Sequence, residues 1–134
     1  MPRYMFDTDI CSFVIKRANE KLLKRLRRTP VQDVCISVIT KAELLYGVEI
    51  SPRQKTDEAA VAAFLAHIDI LDFPDKAAQN YAAIRGHLKR RGTMIGANDL
   101  FIAAHAQCLG LTLVTNNMAE FGRIPHLKTD NWAA

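Results

Sequence analysis

Short apolar runs that favour β-strands alternate with longer helical segments along the whole chain, and this alternation limits the fold more than any other feature. The runs cover residues 4–6, 34–37, 70–73 and 111–114, with a last short strand predicted at Lys128 and Thr129. Strands that alternate with helices in this way are typical of a parallel sheet covered by helices. The sequence therefore predicts an α/β fold with a short central parallel sheet.

Residues that cap or break helices set the predicted boundaries of the helical segments. The first helix is predicted to begin at Thr8 or Asp9 and to continue as far as Thr29-Pro30, because proline disfavours helix at the residue before it. Further helices are predicted over residues 38–50, 56–67, 75–91 and 98–109. Asn98 is the expected N-cap of the last of these, and Gly110 is its expected C-terminal stop.

The segment after residue 37 carries apolar residues at helical spacing. We expect its core-facing stripe to consist of Val38, Ala42, Leu45 and Tyr46. Glu43 then lies beside this stripe rather than on the opposite face, which is an unusual place for a carboxylate that has no partner.

Length and charge indicate one domain with an affinity for polyanions. The 134 residues fit a single domain over 1–134, and a hydrophobic fraction of 49% is enough for a core. The net charge is +4, and basic residues crowd into segments 16–28 and 89–91. Such clusters attract a phosphate backbone, although a basic run is also typical of a solvated helix face.

Cysteine usage and hydropathy bear on the expected compartment. Cys11, Cys35 and Cys108 are odd in number and widely spaced, so a disulfide framework is not expected. Asp7 and Asp9 interrupt the early apolar stretch, and no apolar run approaches the ~18 residues that span a bilayer. We therefore expect a cytoplasmic protein with no membrane partner.

Asp7, Glu43 and Asp99 each stand where a strand-like or apolar run gives way to a helix. The carboxyl ends of parallel strands meet at one edge of a sheet, so acids far apart in sequence can converge there. Converging carboxylates repel one another unless a cation neutralises them, and Mg²⁺ prefers oxygen ligands. The pattern predicts a metal-dependent enzyme acting on a phosphate ester.

Each acid also has a structural interpretation that the sequence leaves open. Asp7 could cap a helix, and Glu43 could pair with an arginine. Asp99 could be a structural acid that the positive end of the helix dipole stabilises. Other chemistry has little support, because the four histidines show no HxxxH pairing and the chain has no P-loop, GxGxxG or GxSxG motif.

Four segments together resemble the PIN-domain ribonucleases, in particular the VapC-type toxins of type II toxin–antitoxin pairs. They are YMFDTDIC at 4–11, ISVITKAELLYG at 36–47, IGANDLFIAAHA at 95–106 and LVTNN at 113–117. The resemblance covers nearly the whole chain and implies a PIN-like three-layer sandwich.

The resemblance also implies roles for individual residues. Asp7, Glu43 and Asp99 match the family's metal-binding, catalytic acids. Asn117 stands where many PIN domains have a fourth acid, and Glu120 is the nearest acid that could replace it in catalysis. The remaining polar residues expected in the pocket are Thr8, Ser37, Asn98 and Thr115.

By the same resemblance, the chain is expected to hydrolyse RNA phosphodiester bonds with Mg²⁺ or Mn²⁺. The leading substrate is a tRNA, with initiator tRNA cut in the anticodon region as the first candidate. The expected partners are a VapB-type antitoxin, a second copy of the chain in a homodimer, and operator DNA bound only as a complex with the antitoxin.

Two other functions remain open at this point. One is a haloacid-dehalogenase-type phosphatase with Asp7 as nucleophile and Asp9 as general acid, suggested by Asp7-Thr8-Asp9-Ile10. The other is a PIN-like RNA-binding module that the missing fourth acid has left catalytically weak.

Overall fold

A five-stranded parallel sheet forms the centre of the computed structural model, which describes residues 2–134. Of the predicted domain over 1–134, Met1 therefore lies outside the described residues. The strands are β1 (Tyr4–Phe6), β2 (Val34–Ser37), β3 (Asp69–Leu71), β4 (Thr112–Val114) and β5 (Thr129–Asp130). Their order is β3-β2-β1-β4-β5, and every neighbouring pair is parallel. The predicted α/β class is confirmed.

Helices cover both faces of this sheet. They are α1 (Thr8–Lys16), α2 (Glu20–Arg27), α3 (Val38–Glu49), α4 (Gln54–Leu65), α5 (Ala77–Arg91), α6 (Ala97–Cys108) and the short α7 (Met118–Phe121). Successive residues of a strand point to opposite faces, so the middle residues of β1 and β2, Met5 and Cys35, pack with α5 and α6. Phe6 and Ile36 pack on the other face with α1 to α4. The result is the predicted three-layer sandwich.

The predicted single helix from residue 8 to residue 29 is wrong, because the chain turns between α1 and α2. Arg17 adopts a left-handed conformation with φ of 51°, and its N–H bonds back to the end of α1. Asn19 then caps α2 by accepting a 2.9 Å hydrogen bond from the Leu22 backbone N–H. Asparagine side chains compete for backbone groups in this way, and the break lets Leu22 reach the core.

The predicted core stripe of α3 is also wrong. Leu45 is 47% exposed and Tyr46 is 64% exposed, whereas Thr40, Leu44 and Val48 form the buried face. The apolar residues of α3 lie on all sides of the helix, so their periodicity alone does not determine which face is buried. Packing against α1 and α4 decides it.

The start of α6 differs from the prediction as well. Gly96 occupies the N-cap position and Asn98 lies within the first turn, so its side chain is free to reach α3. Gly110, with φ of 70°, follows the end of α6 as expected. Within residues 2–134, no helix combines the length and the apolar character that crossing a bilayer requires.

Candidate active site

Asp7 connects the end of β1 to the start of α1. Its Oδ1 accepts a 2.8 Å hydrogen bond from the Ile10 backbone N–H, which caps α1, and its Oδ2 accepts a 2.6 Å hydrogen bond from the Thr115 hydroxyl. The residue is 3% exposed. The pKa of Asp7 is raised to about 6, mainly by burial and also by the negative charges of Asp9 and Glu43, although the two hydrogen bonds lower it. Asp7 can therefore cap α1 and also present a carboxylate at the candidate site.

Thr115 directly follows β4, beside Asp7. It is fully buried, and its hydroxyl also accepts a 2.9 Å hydrogen bond from the Asn117 backbone N–H. This one hydroxyl joins the carboxyl ends of the neighbouring strands β1 and β4 and fixes the first residues of the loop before α7.

Glu43 lies on α3, and residues from two other helices hold its carboxylate. Oε1 accepts a 2.5 Å hydrogen bond from the Thr8 hydroxyl, and Oε2 accepts a 3.2 Å hydrogen bond from Asn98 Nδ2. Thr8 Oγ1 also lies 3.3 Å from Thr40 Oγ1. Because these contacts connect the first turns of α1 and α6 to α3, they fix the direction in which Glu43 points.

Asp99 lies in the first turn of α6 and is partly buried. Its pKa is raised to about 6, first by burial and then by the negative charges of Glu43, Glu120, Asp7 and Asp9. Thr8 directly follows Asp7 in sequence, Asn98 directly precedes Asp99, and both donate hydrogen bonds to Glu43. The acids predicted from sequence thus gather at the carboxyl edge of the sheet.

Two residues in this cluster were not predicted as part of the nuclease site. Asp9 contributes negative charge to both Asp7 and Asp99, and its position two residues after Asp7 was the available signal. Thr40 is fully buried beside Thr8. It lies one helical turn before Glu43, which is the spacing of side chains that share a face.

Ser37 occupies a different place from the acids. Its Oγ accepts a 3.1 Å hydrogen bond from the Ile39 backbone N–H at the start of α3 and lies 2.8 Å from His105 Nδ1. Both side chains are fully buried, and burial lowers the pKa of His105. Ser37 therefore caps α3 and links it to α6, and its hydrogen bonds do not reach the carboxylates.

Asn117 and Glu120, the two residues expected near the fourth acid position, both lie at α7. Asn117 directly precedes α7, and its backbone N–H bonds to Thr115. Glu120 lies in α7 and is partly buried. Its charge is one of those that raise the pKa of Asp99.

The cluster fits a hard divalent cation in donor type and in charge. The atoms that could bind the ion are carboxylate oxygens, which hard cations prefer. None of the acids forms an ion pair with a lysine or arginine within residues 2–134. In the described part of the chain, however, no three His, Cys, Asp or Glu side chains are spaced as ready ligands of one ion. Hydrogen bonds from Thr8, Asn98 and Thr115 hold the carboxylates of Glu43 and Asp7 in their present directions.

Comparisons with known proteins identify the family. The PIN domain family model matches residues 4–127. Ribonuclease VapC2 of Haemophilus influenzae is 42% identical over 132 residues, which cover 98% of this chain and 99% of that protein. The tRNA(fMet)-specific endonuclease VapC of Salmonella typhimurium is 39% identical, with 98% and 99% covered.

Solved structures agree with this assignment. The DNA-bound VapBC complex from Salmonella typhimurium aligns with a TM-score of 0.92 at 39% identity, covering 98% of this chain and 99% of that one. VapBC2 from Rickettsia felis, bound to a promoter DNA fragment, aligns with a TM-score of 0.88 at 38% identity, covering 96% and 98%. The chain therefore belongs to the PIN domain family, and within it to the VapC ribonucleases.

Proposed function

We propose that this chain is a metal-dependent endoribonuclease toxin that hydrolyses RNA phosphodiester bonds. The observation that carries the proposal is the cluster of carboxylates, in which Asp7 and Asp99 both have pKa values raised to about 6. Such a cluster is electrostatically costly by itself and becomes favourable when a cation enters it. Asp7, Glu43 and Asp99 are the residues that would hold Mg²⁺ or Mn²⁺.

The chain's own residues prepare the site for the reaction. A bound divalent ion would activate water and neutralise charge that develops on the phosphate. Thr115 favours the ionised form of Asp7 by donating to it, while Thr8 and Asn98 orient Glu43. Glu120 adds negative charge beside Asp99. Hydrolysis by an activated water does not use the ribose 2′-hydroxyl, so the products carry 5′-phosphate and 3′-hydroxyl ends.

A tRNA is the proposed substrate, with initiator tRNA cut in the anticodon region as the first candidate. Support comes from the Salmonella typhimurium relative, which is named a tRNA(fMet)-specific endonuclease. The basic segments at 16–28 and 89–91 supply positive charge for the RNA backbone. The proposed place of action is the cytoplasm, where tRNA is found.

A VapB-type antitoxin is the proposed inhibitor, because the solved neighbours are VapBC complexes. An arginine of such an antitoxin would form charge-assisted hydrogen bonds with the site carboxylates. Operator DNA is proposed as a partner of that complex, not of this chain alone. A homodimer is also proposed, and the exposed apolar side chains of Leu45, Tyr46 and Ile50 around α3 support it.

The experiment compares the wild-type chain with Asp7→Asn on purified tRNA, with Mg²⁺ and with a chelator. We expect 5′-phosphate fragments from the wild type with Mg²⁺, and none from either the chelated protein or the folded variant. Full cleavage by folded Asp7→Asn protein would contradict the proposal.

A weakly catalytic RNA-binding module is the second candidate, and Asn117 in place of the fourth acid favours it. RNA binding without cleavage in Mg²⁺ and Mn²⁺ would support this alternative. The phosphatase alternative is set aside, because the chain belongs to the PIN domain family.

A further inference from the structure

A cleft of about 300 Å³ opens directly beside the carboxylates, between α1, α3 and α4. Thr8 and Glu43 form one end of it, so the α1–α3–α4 cleft is continuous with the candidate active site. Part of its remaining wall is aliphatic and includes Ile15, Leu44, Val48 and Val61. Ligand pockets typically combine such apolar side chains with a few polar groups that fix the ligand's orientation.

Basic side chains stand at the rim of this cleft. Lys16 ends α1 and Arg53 immediately precedes α4, and both are exposed. Neither forms an ion pair within residues 2–134. Asp57 also lines the cleft, but its carboxylate accepts a 2.5 Å hydrogen bond from Ser51. The two cations are therefore free to meet negative charge on a ligand.

Gly47 keeps one wall of the cleft open. It lies inside α3, and a Cβ built on it would meet no atom within 4 Å. Neither crowding nor a left-handed backbone requires glycine here. A larger side chain at this position would instead occupy the cleft.

We propose that the α1–α3–α4 cleft is a subsite for an unpaired RNA nucleotide adjacent to the bond that is cut. This inference rests on the proposed nuclease function. The base and ribose lie against the aliphatic wall, and Lys16 and Arg53 contact the flanking phosphates. RNA sequence is read mainly from unpaired, splayed nucleotides, and a narrow cleft admits one of these more readily than a duplex. Cleavage specificity then depends partly on this cleft, outside the carboxylate cluster.

The first test fills the cleft with Gly47→Phe. Binding of a short fluorescent single-stranded RNA is measured in an Asp7→Asn background, so that the probe stays intact. We expect the affinity to fall about tenfold, because the base loses its apolar contact with the cleft wall. The matched control is Ala83→Phe, an exposed position of α5 on the opposite face of the sheet, which should bind the probe like the parent. Unchanged binding by folded Gly47→Phe protein would overturn the subsite.

The second test removes charge at the rim and does not depend on how Gly47→Phe folds. Lys16→Ala and Arg53→Ala should each reduce the salt dependence of probe binding, with the slope of log K against log[salt] changing by about 0.7 per lost phosphate contact. Lys128→Ala is the control, because Lys128 lines a different cavity near the amino ends of the strands. Equal slopes for all three variants would overturn the assignment of the two cations.

The outcomes also separate this inference from its alternatives. If Asp7→Asn abolishes cleavage but Gly47→Phe binds RNA normally, the nuclease proposal stands and the subsite fails. If Asp7→Asn cleaves fully, the nuclease proposal fails whatever the binding data show. If Gly47→Phe weakens binding of the antitoxin but not of the RNA probe, the cleft is a protein-docking site and the inference is overturned.

Discussion

The hydroxyl of Thr115 donates a 2.6 Å hydrogen bond to Oδ2 of Asp7, a residue 108 positions earlier in the chain. The contact is buried and joins the carboxyl ends of β4 and β1. A donor to a carboxylate stabilises its charged form. Thr115 thus offsets part of the burial that raises the pKa of Asp7 to about 6.

Thr115→Val should make Asp7 harder to ionise. The variant keeps the shape of the side chain but removes the donor, so the pKa of Asp7 rises further above about 6. Because catalysis needs the ionised carboxylate, the acidic limb of the pH profile for RNA cleavage should move to higher pH. Loss of a hydrogen bond to a charged group corresponds to ~1.5–3 kcal/mol. Thr115→Ser keeps the hydroxyl and should keep the wild-type profile, and an unmoved limb in Thr115→Val would refute the role of this contact.

Asp99→Asn should stabilise the metal-free protein at neutral pH. The pKa of Asp99 is 3.8 ordinarily and about 6 in the fold, so between these values the folded state binds more protons than the unfolded state. The free energy of unfolding therefore falls as pH rises through this interval, and the full penalty is present above about 6. We expect a gain of about 1–2 kcal/mol after allowance for partial exposure, or roughly 3–6 °C in Tm.

The same variant provides its own controls. Near pH 4 the gain should largely disappear, because the wild-type carboxyl is then mostly protonated in the fold. Added Mn²⁺ should raise the Tm of the wild type and have little effect on Asp99→Asn, since a ligand stabilises the state that binds it. Equal Tm values for the two proteins at neutral pH would contradict the electrostatic cost assigned to this cluster.

Asn98→Ala should lower RNA cleavage with little effect on stability. Its side chain is exposed and donates a 3.2 Å hydrogen bond to Glu43 Oε2, so removing it frees the carboxylate to turn. We expect a loss of activity of about tenfold and a change of less than ~0.5 kcal/mol in unfolding free energy. Asn80→Ala, which removes a 2.9 Å bond to Gln107, is the matched control and should stay fully active. Equal activity of the two variants would argue against orientation of Glu43 by Asn98.

Glu120→Gln and Asn117→Asp should change Mn²⁺ affinity in opposite directions. The first removes the charge that acts on Asp99, and the second adds a carboxylate directly before α7. Calorimetric titration should show weaker binding for Glu120→Gln and tighter binding for Asn117→Asp, each by several-fold. Glu49→Gln neutralises an exposed acid at the end of α3 and serves as the control. Identical affinities for all of these proteins would exclude a fourth acid from metal binding.

The sequence was sufficient to predict the sheet and the edge of the sheet at which the acids lie. Short apolar runs located every strand to within a few residues, and the parallel topology then placed Asp7 and Thr115 at one edge. Elsewhere, helix capping by individual residues overrode the boundaries predicted from the apolar pattern. Asn19 capped a second helix where the apolar stripe predicted continuation, and Gly96 replaced Asn98 as the N-cap of α6.

Side-chain orientation was the part that required tertiary structure. Ser37 ends β2 and Asp7 directly follows β1, yet the hydroxyl of Ser37 turns to Ile39 and His105. The outward position of Tyr46 is set by the packing of α3 against its neighbours, which the periodicity of an apolar helix cannot show. Hydrogen bonds between residues more than 30 positions apart, such as that from Thr8 to Glu43, depend on the same packing.

Anomalous scattering from crystals grown with Mn²⁺ would test directly whether these acids hold a metal together. We expect a manganese peak bonded to carboxylate oxygens of Asp7 and Asp99, with Glu43 drawn towards it, and no such peak in Asp7→Asn crystals. No peak among these side chains, at a Mn²⁺ concentration that supports RNA cleavage in solution, would contradict a shared metal site.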